Sequence, residues 1–253
     1  MKTFSVDQLS VRVYPNPSEL SQDAAKITHN YLKSTLDTKG YGTVILATGN
    51  SQIQFLQALV TFGDLDWSKI TCFHLDEYLG IAESHPASFR RYLREKVEKI
   101  VKPGCFHYLQ GDTLEPVKEC DRYSKLLMTQ PIDLCLLGVG DNGHLAFNEP
   151  TVANFQDPYL VKLVQLDRQC RQQQVNQGHF PNLEAVPKYA FTLTIPMIGD
   201  AKRILCLAPQ KHKSEIIKTA LQGEISSHCP ASWLRTQPQA TLFLDADSAA
   251  IQN

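Results

Sequence analysis

The chain has 253 residues, 43% of them hydrophobic and 20% charged, an ordinary globular composition that excludes a mostly disordered protein. Lys plus Arg number 25 against 26 Asp plus Glu, a formal net charge of −1, so no basic excess points to nucleic acid as a partner. A small anion needs only a few local donors and stays open as a ligand. In chain order, short apolar runs alternate with helical patterns, which predicts βαβ units and a mainly parallel sheet. A strand is expected over 10–14. Asn16, Pro17 and Ser18 then open a helix that carries Leu20, Ala24, Ile27 and Tyr31 at helical spacing until Gly40 stops it. The run GTVILA at 42–47 is almost continuously apolar, as a strand buried on both faces should be. A helix is predicted over 51–62, a strand over 70–75, and helices over 86–100 and 115–128. The run at 132–137 is a strong buried strand. Further strands are predicted over 160–166, 190–194, 204–208 and 241–244, with helices over 167–176 and 212–221. No repeat, low-complexity tract or Pro/Gly-rich linker divides the chain. The expected architecture is α/β, one domain over 1–253 with a single doubly wound, mainly parallel, Rossmann-like sheet flanked by helices.

Residues 1–13 lack the apolar core of a signal peptide, and no run approaches the roughly 20 apolar residues of a membrane helix. The seven cysteines are odd in number and scattered, with no CxxC and no Cys/His pair at zinc-like spacing. Reduced thiols, a cytoplasmic location and no metal are therefore expected.

In sheets of this kind ligands bind outside the carboxyl ends of the strands, and three segments fall there. Thr48, Gly49, Asn50 and Ser51 follow the second strand. Small residues let the backbone approach an anion, and the next helix offers free N–H groups, although most such turns are merely tight connections. No lysine follows at Walker spacing. His74-Leu75-Asp76-Glu77-Tyr78 ends the third strand with two adjacent carboxylates in an apolar setting. Either one, turned into a cleft, makes a general base; a cap or salt-bridge role is the plainer alternative. GVGDNGHLAFNEP at 138–150 follows the buried strand and holds three glycines within six residues. It is not a dinucleotide fingerprint, because Pro150 interrupts the helix that should follow. His144 and Glu149 are five apart, and a curled loop brings them together; the carboxylate then fixes the imidazole tautomer and raises its pKa. The other histidines (His29, His85, His107, His179, His212, His228) have no comparable context, and Tyr78, Phe89 and Tyr92 are expected to pack.

At these residues the sequence resembles the glucosamine-6-phosphate deaminase/isomerase family. The matching stretches are LDEYLG at 75–80 with HPASFRRYL at 85–93, GVGDNGHLAFNEP at 138–150, VPKYAFTLT at 186–194, and the segments within 208–234. The related 6-phosphogluconolactonases share the fold but typically carry DER for DEY and GHxASLFP for GHLAFNEP. The resemblance implies conversion of a hexosamine 6-phosphate (gluco or galacto) and water to a ketose 6-phosphate and ammonia, with no cofactor. It implies that Asp76 moves a proton between C2 and C1, and that His144, oriented by Glu149, opens the ring. It further implies that Thr48, Gly49, Asn50 and Ser51 hold the phosphate, with Lys213 as its point charge and Lys211 as a competitor. The resemblance implies this small molecule as partner; from the chain itself neither nucleic acid nor membrane is expected, and the expected state is a monomer or small homo-oligomer.

Two positions depart from the family pattern. Asn142 stands directly before Gly-His where deaminases usually carry Asp, which implies a less basic His144 and slower or retuned ring opening. Asn176 stands near where they carry a phosphate-binding Arg, a role left unfilled or taken by Arg171. Both are features of a branch similar to galactosamine-6-phosphate isomerases. The alternatives are a phosphogluconolactonase-type hydrolase, which needs no proton shuttle at C2, and a catalytically weak sugar-phosphate sensor.

Overall fold

A computed structural model describes residues 1–249. Eight strands form the main sheet: β1 (Lys2–Val6), β2 (Leu9–Tyr14), β3 (Gly42–Leu46), β4 (Ile70–His74), β6 (Cys105–Phe106), β7 (Leu134–Gly138), β10 (Ile204–Leu207) and β11 (Ala240–Asp245). Their order is β1-β2-β11-β10-β7-β3-β4-β6, parallel throughout except for the β1–β2 hairpin at one edge. From β3 the chain moves outward to β4 and β6, whereas from β7 it moves the other way through β10 and β11. The order therefore reverses between β3 and β7, and a crevice opens beyond their carboxyl ends.

Side-chain alternation along the central strands splits the core in two. Val44, Leu46, Leu134, Leu136, Leu205, Leu207 and Phe243 face one layer, with helices α1 (Pro17–Lys39) and α2 (Ile53–Leu59). Ile45, Cys135, Leu137, Ile204, Cys206, Leu242 and Leu244 face the other, with α5 (Pro116–Leu127) and α8 (Ser214–Gln222). Every strand residue of β3 is buried, as its apolar run requires. Cys72, Cys135 and Cys206 lie fully inside this sandwich. The ends of α1 follow its sequence: Asn16 Oδ1 accepts from Glu19 N at 2.9 Å, Pro17 sits in the first turn, and Gly40 takes φ 77° beyond the last. No helix among the described residues is long and apolar enough to cross a membrane.

The main sheet is mainly parallel, as expected, but it is not the only sheet. A second, antiparallel one joins β5 (Asp76–Tyr78), β9 (Tyr189–Leu193) and β8 (Val161–Gln165) in the order β5-β9-β8. The predicted strands at 160–166 and 190–194 belong here rather than to the doubly wound sheet. The small sheet has its own apolar cluster, in which Tyr78 packs against Phe89, Phe147 and Phe180 at 5.0–5.6 Å between ring centroids. β5 continues almost directly from β4, so leaving the main sheet swings Asp76 across the crevice mouth. The predicted helix over 86–100 forms as α3 (Phe89–Leu93), a π-helical turn (Arg94–Glu98) and α4 (Lys99–Val101). The predicted helix over 51–62 is shorter, because its first turn (Asn50–Gln52) is a 3-10 turn. Helix α6 (Arg168–Asn176) follows β8, and α7 (Ile195–Gly199) follows β9.

Candidate active site

Each of the three segments leaving β3, β4 and β7 contributes to one cavity at the strand-order reversal. Its walls include Thr48, Gly49, Asn50, Ser51, Asp76, Gly140, His144 and Lys213, and its volume is about 170 Å³. That space suits one small polar molecule and not a dinucleotide. It adjoins a wider groove of about 780 Å³ lined by Asp141, Asn142, His212 and the polar face of α6.

The adjacent carboxylates part company. Glu77 is fully buried and turned away from the cavity. It accepts hydrogen bonds from Ser88 Oγ (2.8 Å), Arg90 N (2.9 Å), Tyr78 N (3.0 Å) and Phe89 N (3.2 Å), which makes it the cap that holds the start of α3. Asp76 points into the cavity wall. Burial pushes its pKa well above the ordinary aspartate value and the charge on Glu77 adds to the rise, with no donor to lower it. A carboxyl so placed holds its proton to higher pH than an exposed aspartate does.

The glycine-rich loop is shaped around the imidazole. A Cβ on Gly140 would sit 2.1 Å from the His144 ring, so this glycine serves a close approach by protein, not by ligand. Gly143 has φ +84°, and Ala146 also takes a positive φ of 52°. Asn142 Oδ1 accepts from the backbone N–H of His144 at 3.1 Å, which fixes that atom as the amide oxygen. The same oxygen lies 2.8 Å from His144 Nδ1, so Nδ1 carries the proton and Nε2 presents a lone pair.

Here the expectation for Glu149 is corrected. It lies near the ring, but the partner that orients His144 is Asn142. Nor is the imidazole made more basic: burial and then the charge of Lys213 lower its pKa to about 4, against weaker pulls from Asp141 and Asp167. Glu149 sits fully buried behind the cavity wall, with one oxygen accepting from Asp167 N at 2.9 Å. Burial raises its own pKa to about 7, against the donors Cys170 and Asp167 N.

At the other end of the cavity, the turn after β3 is braced by residues that carry no signal in the sequence. Buried Gln52 donates to Ser51 Oγ (3.1 Å) and to Leu137 O (3.3 Å), tying the ends of β3 and β7 together. Tyr92, expected only to pack, also donates to Gly49 O at 3.4 Å. Phe89, likewise expected only to pack, lines the cavity. Lys213 is buried and lines the cavity, while Lys211 is exposed and does not line it. Lys213 Nζ is paired with Asp141, and His212 Nε2 stands 3.7 Å from the same carboxylate.

Three further expectations change. His179 and His212 do line the cavity, together with Gln173, Gln174 and Gln177 of the Gln-rich segment. Sequence gives no hint of this, because α6 reaches the site only through the small sheet. Arg171 is unavailable to a phosphate: its guanidinium donates to Leu183 O and Val186 O. The groove's guanidinium is Arg168 instead.

A family model for "Glucosamine-6-phosphate isomerases/6-phosphogluconolactonase" matches residues 15–243. The chain belongs to this family. Among its relatives, a glucosamine-6-phosphate deaminase of Streptococcus pneumoniae serotype 4 is 34% identical over 228 residues, covering 89% of this chain and 94% of the relative. One from Lactobacillus delbrueckii subsp. bulgaricus is 33% identical over 244 residues, covering 96% of this chain and 99% of the relative. A solved monomeric glucosamine-6-phosphate deaminase superposes with a TM-score of 0.88 at 33% identity, covering 96% and 99% of the two chains. A 6-phosphogluconolactonase from Shewanella baltica shares the fold at a TM-score of 0.78 and 19% identity.

Proposed function

We propose that this family member is an amino-sugar-phosphate deaminase/isomerase. It converts glucosamine 6-phosphate or galactosamine 6-phosphate, with water, to a ketose 6-phosphate and ammonia. The observation that carries this reading is Asp76: a buried carboxyl of raised proton affinity on the same small cavity as a neutral imidazole and a buried lysine. The Asp of DEY is common to the lactonases' DER, so what parts this chain from them is Tyr78 in place of Arg and Phe147-Asn148-Glu149 in place of SLF. Asp76 abstracts the C2 proton of the ring-opened sugar and returns a proton at C1. His144, through its free Nε2, takes the proton of the anomeric hydroxyl and delivers it to the ring oxygen as the bond from C1 to that oxygen breaks and the C1 carbonyl forms. Asn142 holds its tautomer. Thr48, Gly49, Asn50 and Ser51 cradle the phosphate, with Lys213 as its counter-charge once Asp141 yields, and Arg168 at the outer rim. The reaction needs no cofactor, since the substrate supplies its own carbonyl.

The chain works as one domain in the cytoplasm, as a monomer or small homo-oligomer; the solved monomeric relative favours the former. The test is ammonia release from the two hexosamine phosphates, assayed side by side with hydrolysis of 6-phosphogluconolactone. Ammonia from at least one, lost in Asp76→Asn, is the expected result. Lactone hydrolysis that survives Asp76→Asn would assign a lactonase. No turnover, with either sugar phosphate still raising the melting temperature, would assign a sensor.

A further inference from the structure

We propose that His144, Glu149 and Cys170 together form a binding site for a thiophilic divalent cation of the zinc class, set in the inner wall of the cavity. A ring nitrogen, a carboxylate oxygen and the thiol sulfur all lie within 4.8 Å of one another. Imidazole, carboxylate and thiolate are the three donor types that zinc takes. Tetrahedral zinc spaces its ligand atoms by about 3.5 Å, so the three side chains need to close by about 1 Å.

Two observations beyond proximity support a ligand here. Glu149 is fully buried, and its Oε1 meets the geometry of no hydrogen bond among the described residues, the weak Cys170 thiol being the one donor beside it other than Asp167 N. An acceptor left bare in the interior is costly unless something else takes its lone pairs. The outer contacts are also those of a metal site. Asn142 holds the His144 Nδ1 proton and leaves Nε2 to ligate. Asp167 N fixes the other oxygen of Glu149 at 2.9 Å, and Asp167 Oδ1 accepts from Cys170 N at 2.7 Å, anchoring the cysteine in the first turn of α6. The cation enters past His144, which lines the cavity. On binding, the Cys170 S–H proton passes to solvent as the metal–sulfur bond forms, with no change of oxidation state.

His144 and Glu149 come from the one loop after β7 and Cys170 from the first turn of α6, too far along the chain for any Cys/His spacing to betray them. Metal binding stands apart from the proposed reaction; its consequence rests on that reading. A cation on Nε2 occupies the lone pair that ring opening uses, so zinc inhibits.

The experiment is titration of the full-length protein with cadmium, followed by the ultraviolet cadmium–thiolate charge-transfer band. The thiol pair Cys105–His107, with Sγ 3.4 Å from Nε2, supplies the control. We expect a band that saturates at one equivalent, is displaced by zinc, survives in Cys105→Ser and is absent in Cys170→Ser. In Glu149→Gln, which keeps the thiol, affinity should fall at least tenfold. Zinc should inhibit ammonia release, with at least tenfold lower potency in Cys170→Ser. A band undiminished in both Cys170→Ser and Cys170→Ala, or lost in Cys105→Ser, overturns the site. A band with the expected pattern in a protein that releases no ammonia leaves the site standing and refutes the reaction.

Discussion

The two ends of the main sheet each bury an aspartate, and they treat it oppositely. At the amino end, Asp133 accepts from Lys39 Nζ (2.7 and 2.8 Å), Lys202 Nζ (3.0 Å) and Thr43 N (3.0 Å). Burial works to raise its pKa, but these donors together hold it below the usual aspartate value. At the carboxyl end, Asp76 has no such company and keeps its proton to well above that value. The first is a charge paid in full by neighbours and so a structural pin; the second is a proton store facing a cavity. A buried carboxyl is therefore read by its partners, not by its burial.

The sharpest way to break this contrast is to neutralise each aspartate. Asp76→Asn should lower ammonia release by about 10²- to 10⁴-fold, the usual worth of a general acid–base group. It should also raise stability at neutral pH. The folded protein holds a proton on Asp76 that the unfolded chain has released, so stability falls as pH rises from the ordinary carboxylate range toward the raised value. Glu77, also raised, adds a slope of the same sign. Urea unfolding at pH 4 and pH 8 should show a smaller loss between the two in Asp76→Asn than in the parent. Asp133→Ala should do the reverse, costing about 1–3 kcal/mol in the same assay, because it leaves the buried Thr43 N–H without its acceptor while the partly exposed Lys39 and Lys202 turn to water, and leaving the KM of the folded enzyme unchanged.

Smaller effects sharpen the picture of the catalytic end. Gly140→Ala should cost roughly tenfold or more in kcat, since the added methyl displaces the imidazole from its place against Gly140, with the displacement visible in the His144 NMR shifts. Asn142→Asp should raise the His144 pKa from about 4, detectable by NMR titration, and should shift the pH profile of ring opening upward. Asp141→Asn should change least: it frees Lys213 and lowers KM a few-fold, an effect that fades at high salt.

Much of this was legible because single residues carried the signal. The apolar runs of β3 and β7 are buried strands, and Asn16, Pro17 and Gly40 mark both ends of α1 within the chain itself. The turns after β3, β4 and β7 were found from the strand ends alone. What escaped depends on partners far away in sequence. β5 is three residues, two of them acidic, and is a strand only because β9 pairs with it. β1 alternates weakly and is fixed by its hairpin with β2. Of the two expectations for His144, the less basic ring that Asn142 implies agrees with the lowered pKa, and the rise expected from Glu149 does not, because that carboxylate is not the ring's hydrogen-bond partner and burial and Lys213 outweigh the acids around it. Gln173, Gln174, Gln177, His179 and His212 reach the cavity by tertiary placement alone.

The thiols sealed within β4, β7 and β10 make the protein its own unfolding clock. Cys72, Cys135 and Cys206 have no exposed surface, so an alkylating reagent can reach them only when the central strands separate. Mass-resolved alkylation of these three sites, timed with and without a sugar phosphate, would read how tightly occupation of the crevice clamps the middle of the sheet, with no label added to the chain.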